Sequence, residues 1–175
     1  MLKKIAFALA IVIGAILAYA ATKPDTLRVE RTATVNAPPE KVFALINDFH
    51  NWAAWSPWEK LDPNMTRTHS GAPAGKGAAY AWQGNKDVGK GRMEILESTP
   101  SSQIKIQLDF LEPFEAHNIT DFTLEPAGGG TKVNWSMHGP NNFMNKLMQV
   151  FMDMDAMIGK DFEAGLANMN AAAGK

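Results

Sequence analysis

Arg31 is the residue whose type and position most strongly suggest chemistry. It lies within Leu27 to Asn36, an alternating segment typical of a half-buried strand, and it falls on the apolar face of that segment. A guanidinium on that face needs a partner, because an unpaired buried charge is very costly. Glu97, which shares the predicted inward parity of Met93 and Ile95, could be that partner. The alternatives are a rim position that reaches solvent, and a polar hook for a ligand carboxylate or phosphate.

Aromatic residues form a second conspicuous group. Trp52, Trp55 and Trp58 fall within seven residues of the segment Asn47 to Lys60, around a Ser-Pro step. Three such large side chains are not expected to be casual surface residues. One interpretation is a short helix and turn whose tryptophans cap an open end of a sheet. The other is that they line the mouth of a cavity, and the two are compatible.

Several kinds of chemistry are absent from the sequence. There is no cysteine, the histidines are scattered without a zinc-like pair, and no nucleophile elbow occurs. Gly71 to Lys76 imitates a phosphate-binding loop but is one residue short. A formal net charge of −1 gives no reason to expect a nucleic-acid partner. We therefore predict no catalytic residue, no metal site and no cofactor, and the sequence specifies no oligomeric state.

The N-terminus predicts a membrane or export segment. Lys3 and Lys4 precede Ile5 to Ala21, seventeen residues without a charge. At about 1.5 Å per residue, this helix reaches roughly 25 Å, close to the thickness of a hydrocarbon core. It would then be an anchor with Tyr19 at the interface. Alternatively, the small residues around Tyr19 make a cleavage site and the segment is a signal peptide. A buried core helix is the third option, but the segment has no polar face.

Both main interpretations place the rest of the chain outside the cytoplasm. The basic start stays inside, so we expect residues 27–173 to form a domain on the periplasmic side of an inner membrane. If the segment is cleaved, the domain is instead secreted to the periplasm. Residues 1–26 are then the anchor or signal segment with a short linker.

The remaining pattern predicts an antiparallel sheet and a long helix. After the first strand, Pro38-Pro39 opens a short helix at Lys41 to Asp48. Alternating segments punctuated by glycine turns then predict six more strands, at 64–70, 76–83, 91–98, 102–111, 116–125 and 131–138. Finally, Asn141 to Ala172 has large apolar residues at helical spacing and predicts one continuous helix that packs on the sheet.

This order of elements resembles the START-like superfamily of polyketide cyclases and lipid-transport proteins, in its membrane-anchored bacterial form. Four segments carry the resemblance, at Val29 to Glu59, Gly75 to Asn85, Thr120 to Pro140 and Met157 to Met169. The resemblance implies an α+β helix-grip fold, in which a curved seven-stranded antiparallel sheet holds a long C-terminal helix. It also implies an apolar cavity between the two.

The function hypotheses follow from that resemblance. The first is a membrane-tethered, non-catalytic binder or carrier of an apolar small molecule or lipid. The alternatives are a polyketide cyclase or dehydratase and a protein-interaction module. Fourteen residues are candidates for lining the cavity: Arg31, Trp55, Trp58, Tyr80, Trp82, Met93, Glu97, Ile106, Phe110, Asn118, Phe122, Trp135, Met154 and Ile158.

Overall fold

A computed structural model describes residues 1–174 and confirms the α+β helix-grip architecture. The helices are α1 (Leu2–Ala21), α2 (Pro39–Asn47), α3 (Phe143–Met148) and α4 (Met154–Ala173), with short 3₁₀ helices at Phe49–Ala54 and Pro57–Lys60. The strands are β1 (Thr26–Val35), β2 (Thr66–Gly71), β3 (Ala78–Gln83), β4 (Lys90–Thr99), β5 (Gln103–Glu112), β6 (Ala116–Ala127) and β7 (Gly130–Pro140). The seven predicted strands are all present, and their ends differ from the prediction by at most two residues.

The strands form one open antiparallel sheet in the order β1-β7-β6-β5-β4-β3-β2. Hairpins connect β2 through β7 in sequence, and β1 pairs with β7 to complete the sheet. The alternation that predicted the strands also sorts their side chains, so that Ile104, Ile106, Phe122 and Trp135 are buried on the face toward α4. We call this the inner face of the sheet.

The C-terminal helix is not continuous, and this prediction was wrong. The predicted span 141–172 is divided between α3 and α4 by a turn at 149–153. Asp153 begins α4 by accepting a hydrogen bond from the Ala156 backbone N–H at 2.9 Å. Only α4 packs on the domain core, mainly along β1, and it buries Phe162, Leu166 and Met169. The apolar residues of α3 and the turn belong to a different surface.

The N-terminal helix α1 stands apart from this core. It is 20 residues long with a mean hydropathy of 2.2, and only 6% of its most apolar window is buried. Its last turn packs against α3, where Ala20 is fully buried. By length and composition α1 fits either a membrane span or a signal sequence.

Candidate ligand-binding site on the inner sheet face

The tryptophans between α2 and β2 are placed by backbone hydrogen bonds. The Trp52 and Trp55 indole N–H groups donate to the Ile46 and Leu45 carbonyls of α2, each at 2.9 Å. The Trp55 carbonyl in turn accepts from the Asn168 amide of α4 at 3.1 Å. The indole rings are therefore held under the sheet by their own polar atoms, as is usual for buried tryptophan.

These rings meet the sheet and α4 in one packed group, which we call the aromatic cluster: Trp52, Trp55, Trp58, Phe122, Trp135 and Phe162. Trp55 meets Trp135 edge to face at 5.5 Å between ring centroids, and Trp135 stacks on Phe162 at 4.0 Å. Trp55 and Phe122 have no exposed surface. Part of the predicted cavity wall is thus solid core, and the cap interpretation of the tryptophans fits this region.

The inner face is less completely covered at the end of the sheet that α1 joins. There, three apolar side chains are only half-buried: Trp82 of β3, and Leu108 and Phe110 of β5. Trp82 lies over Gly91, which pairs with Phe110 in the register, and the Trp82 and Phe110 rings meet edge to face at 6.0 Å. We call these three residues the open end of the inner face.

Two buried polar atoms on the inner face have no hydrogen-bond partner within residues 1–174. They are the Thr120 hydroxyl and the Trp135 indole N–H. Thr120 pairs with Ile106 across β5–β6, so it is the diagonal neighbour of Leu108 at the open end. Buried polar atoms without partners are rare in proteins, and each needs an explanation.

Arg31 lies on the inner face, as predicted, but its partners are on α4. Its guanidinium donates to the Asp155 carboxylate at 3.0 and 3.1 Å, to the Asp155 carbonyl at 3.0 Å, and to the Glu163 carboxylate at 2.8 Å. Hydrogen bonds to Asp155 and then to Glu163 raise the pKa of Arg31. The Arg31 guanidinium packs against Gly159 of α4, where the Cβ of any larger residue would collide with it.

The predicted pairing of Arg31 with Glu97 is wrong. A bulge in β4 between Ile95 and Glu97 shifts the register by one residue. Ile95 stays inside, whereas Glu97 turns to the outer face and pairs with Lys105 at 3.2 Å. One extra residue in a strand moves every later side chain to the opposite face, so parity counting fails beyond the bulge.

A polar group that sequence reasoning missed surrounds Tyr80. The Tyr80 hydroxyl donates to the Glu59 carboxylate at 2.5 Å, and Arg67 donates to the same carboxylate at 2.7 Å. Burial, followed by the hydrogen bond to Glu59, raises the pKa of Tyr80. Nearby, the His50 and His69 rings stack at 4.0 Å. No spacing signal in the sequence links these residues, because they come from the two 3₁₀ helices and from β2 and β3.

The other candidates occupy three kinds of position. Met93 and Ile106 are buried core, and Ile158 of α4 is half-buried against it. Met154 of α4 lines a surface depression of about 210 Å³ between the linker and the α3–α4 turn. Asn118 is buried beside Gly139 and lines another, of about 490 Å³, at the end of β6 and β7. A third depression, of about 450 Å³, lies on the outer sheet face.

Metal binding has no support in residues 1–174, where no group of three suitable ligands occurs. His117 and His138 point to the outer face, as their strand parity predicts. His117 is held between Asp109 at 2.8 Å and Glu115 at 3.2 Å, and the first of these hydrogen bonds raises its pKa most.

Comparison with protein families decides the affiliation of this chain. The family model described as polyketide cyclase/dehydrase and lipid transport matches residues 26–174. The chain belongs to this polyketide cyclase/dehydrase and lipid transport family. The START-like resemblance inferred from the sequence is thereby confirmed. The family description covers both catalysis and transport, so membership supports a ligand-binding fold without selecting one activity. A search of curated proteins finds no match.

Solved structures share the fold of this family member at low sequence identity. Protein CV1439 from Chromobacterium violaceum matches with a TM-score of 0.59 and 19% identity, over 86% of this chain and 98% of that chain. The Aha1 dimer from Colwellia psychrerythraea matches with 0.60 and 13%, over 84% and 96%. DynU16, from the dynemicin biosynthetic locus, matches with 0.57 and 15%, over 85% of this chain and 47% of that chain.

Proposed function

We propose that the domain binds a hydrophobic small molecule or lipid at the open end of the inner face, and that α1 tethers it to a membrane. The observation that carries the proposal is a group of half-buried apolar side chains close to a buried polar atom that has no partner. Trp82, Leu108 and Phe110 are half-buried there, and Leu108 is the diagonal neighbour of Thr120, whose hydroxyl has no partner. Apolar walls with a few placed polar groups are characteristic of small-molecule sites.

The unpartnered atoms suggest what the ligand offers. The Trp135 indole can only donate a hydrogen bond, whereas the Thr120 hydroxyl can donate or accept. A ligand at the open end with an apolar body and one polar atom, such as a carbonyl oxygen, would satisfy the Thr120 hydroxyl, whereas the Trp135 indole lies within the packed aromatic cluster. Leaving a buried polar atom unpaired costs about 1–3 kcal/mol, which such a ligand would recover.

Membrane tethering is supported by the position of α1 as well as by its composition. The helix is apolar and exposed along its length, yet Ala20 at its end is buried against the domain. A segment destined for cleavage need not pack there, so we favour an anchor over secretion to the periplasm. With Lys3 and Lys4 at the cytoplasmic end, the domain lies on the periplasmic face of the inner membrane.

A cyclase or dehydratase activity has less support, because its candidate groups are already occupied. Arg31 is bonded to Asp155 and Glu163, and Tyr80 to Glu59. Glu97 lies on the other face of the sheet. Acid–base catalysis would require one of these groups to reach a substrate.

The test is native mass spectrometry of the full chain, extracted from bacterial membranes in mild detergent. We expect an intact chain that includes residues 1–21 and that carries a bound mass lost on denaturation. Leu108→Ala removes an inner-face contact, whereas Leu111→Ala changes an exposed leucine of the same strand. Leu108→Ala should weaken the ligand affinity about tenfold and so lower the occupancy, and Leu111→Ala should leave both unchanged, since about 1–1.5 kcal/mol of apolar contact is lost in the first case only.

Two results would contradict the proposal. A chain without any bound mass, which takes up no fatty acid, phospholipid or aromatic polyketide, would rule out the binding role. A chain that lacks its first residues would rule out the anchor and leave secretion. The two readouts are independent, so each half of the proposal can fail alone.

A further inference from the structure

The helix α3 presents its apolar side chains to the outside. Phe143, Met144 and Phe151 are 50%, 63% and 70% exposed, and Met148 and Met152 are exposed as well. We call these five residues the α3 patch. Exposed apolar groups of this size and number are unusual on a monomer and mark a site of interaction.

Two polar residues of the same segment, Lys146 and Gln149, point the other way, toward the linker and the residue that follows β7. Lys146 is only 8% exposed and bonds to Asp25 at 2.5 Å. Gln149 donates from its side-chain amide to the Asn141 side chain at 2.8 Å. The segment is thus polar toward the protein and apolar toward its surroundings, the reverse of a helix on a water-exposed surface.

The segment that joins α1 to the domain is fastened to the start of this region. Asn141 donates from its backbone N–H to the Asp25 carbonyl and from its side chain to the Pro24 carbonyl, both at 2.8 Å. The Lys146–Asp25 pair adds a third link. Since α1 also packs on α3, residues 22–25 do not form a loose tether, and the α3 patch keeps a fixed place beside the end of α1.

We infer that the α3 patch lies in the headgroup–acyl boundary of the lipid leaflet that α1 enters. The inference rests on the proposed membrane role of α1. The apolar surface of α1 continues into the patch, so the medium that covers one covers the other. Short apolar helix faces bind at that depth in the interface, where their burial recovers about 25 cal/mol per Å².

This placement has a consequence for the ligand. The start of β1, the ends of β3, β5 and β7 and the start of β6 lie at one end of the sheet. The open end of the inner face is at that same end, so it would face the leaflet. Exposed Phe114, in the β5–β6 hairpin, lies on this side too. A hydrophobic ligand could then pass between bilayer and domain without crossing bulk water.

The absence of cysteine allows a direct depth measurement on the full chain. Met144→Cys and Phe151→Cys each introduce one exposed thiol for an NBD fluorophore. The labelled chains are reconstituted into phosphatidylcholine–phosphatidylglycerol vesicles, with and without lipids that carry a nitroxide near the headgroup end of the acyl chain. We expect blue-shifted emission that loses at least about half its intensity to the nitroxide, as for other interfacial helices.

Two control positions separate the possible failures. Ala10→Cys, in the middle of α1, reports whether the helix is in the bilayer when the nitroxide is placed at the methyl end of the acyl chain. Glu125→Cys, an exposed position at the far end of β6, should be neither shifted nor quenched. Quenching at position 10 with none at 144 and 151 would overturn the inference and leave the anchor intact.

The remaining outcomes are also decisive. No quenching at position 10, 144 or 151 would refute both the anchor and the patch. A blue shift at 151 without lipid quenching, together with disulfide-linked dimers of the unlabelled Phe151→Cys chain in the presence of an added oxidant, would show that a second copy covers the patch and would overturn the lipid assignment. Ligand occupancy is measured separately, so the binding proposal stands or falls on its own data.

Discussion

The aromatic cluster and the open end occupy the same face of the same sheet, yet they are covered to different degrees. In the cluster, three tryptophans from the 3₁₀ helices fill the space between β6, β7 and α4, and Trp55 has no exposed surface. At the open end, Trp82, Leu108 and Phe110 remain half-buried. Strand alternation is equally clear in both regions. The difference therefore comes from the elements that cover the sheet, and not from the sheet itself.

The difference in burial suggests that the aromatic cluster and the open end contribute differently to stability and to the proposed binding. Close packing of large rings makes the cluster the main source of stability, because buried aromatic surface dominates core energetics. The open end buries less apolar surface, and in the proposed binding role that surface is available to a ligand. Substitutions in the two regions should therefore separate folding from binding.

The largest expected effect is the loss of Trp55. Trp55→Ala should lower the free energy of unfolding by about 3–5 kcal/mol, the usual cost of an aromatic-to-alanine cavity. Phe110→Ala should cost about 1 kcal/mol, because much of that ring is already in contact with solvent. Chemical unfolding of the full chain in detergent micelles, followed by circular dichroism, measures both. Equal losses for the two variants would mean that the open end is ordinary core.

A smaller effect is expected where Arg31 crosses α4. A side chain at Gly159 would displace the guanidinium from Asp155 and Glu163, so Gly159→Ala should destabilise the protein. In an Arg31→Ala background the obstacle is gone, and the same change should stabilise the protein by up to about 1 kcal/mol through helix propensity. The sign of the Gly159→Ala effect thus depends on Arg31.

The double-mutant cycle has a matched control on the same helix. Gly174→Ala, at the C-terminal cap of α4, meets no atom closer than 3.7 Å and lies far along the chain from the Arg31 partners Asp155 and Glu163. Its cost should be the same in both backgrounds. If Gly159→Ala also keeps its sign, the guanidinium does not hold the position described here.

Sequence periodicity predicted the fold because each strand has one buried face, and that condition holds along nearly the whole sheet. It failed at Glu97, since a bulge leaves no reliable trace in the alternation. It also failed at Phe151, whose helical spacing matches the stripe of α4 although its side chain is 70% exposed. Spacing reports that a residue prefers an apolar surrounding, and it does not distinguish the protein core from a lipid surface.

Only part of the candidate site could be predicted from the sequence, and the reason is related. Arg31 was recognisable because a charge on an apolar face is anomalous, but its partners were not, since Asp155 and Glu163 are more than a hundred residues away. Glu59, which organises Tyr80 and Arg67, carries no local signal at all. Long-range pairing is set by the packing of elements, which a single sequence does not specify.

The smallest expected effect concerns two histidines, His69 beside Tyr80 and His117 on the outer face of the sheet. His69, beside Tyr80 and His50, has its pKa lowered by burial and then by His50, with Asp48 and Glu59 opposing this. The folded state therefore disfavours the charged form of His69, and the contribution of His69 to stability is lost as pH falls below the unfolded pKa of about 6.5.

His117 on the outer face has a raised pKa, so its contribution to stability is full below about pH 6.5 and is lost as pH rises through its folded pKa. The two slopes therefore oppose each other in the wild-type protein. In the same unfolding assay, His69→Asn should make stability decline with rising pH, and His117→Asn should make it increase. If neither variant changes the slope, titration at these two positions does not contribute to stability.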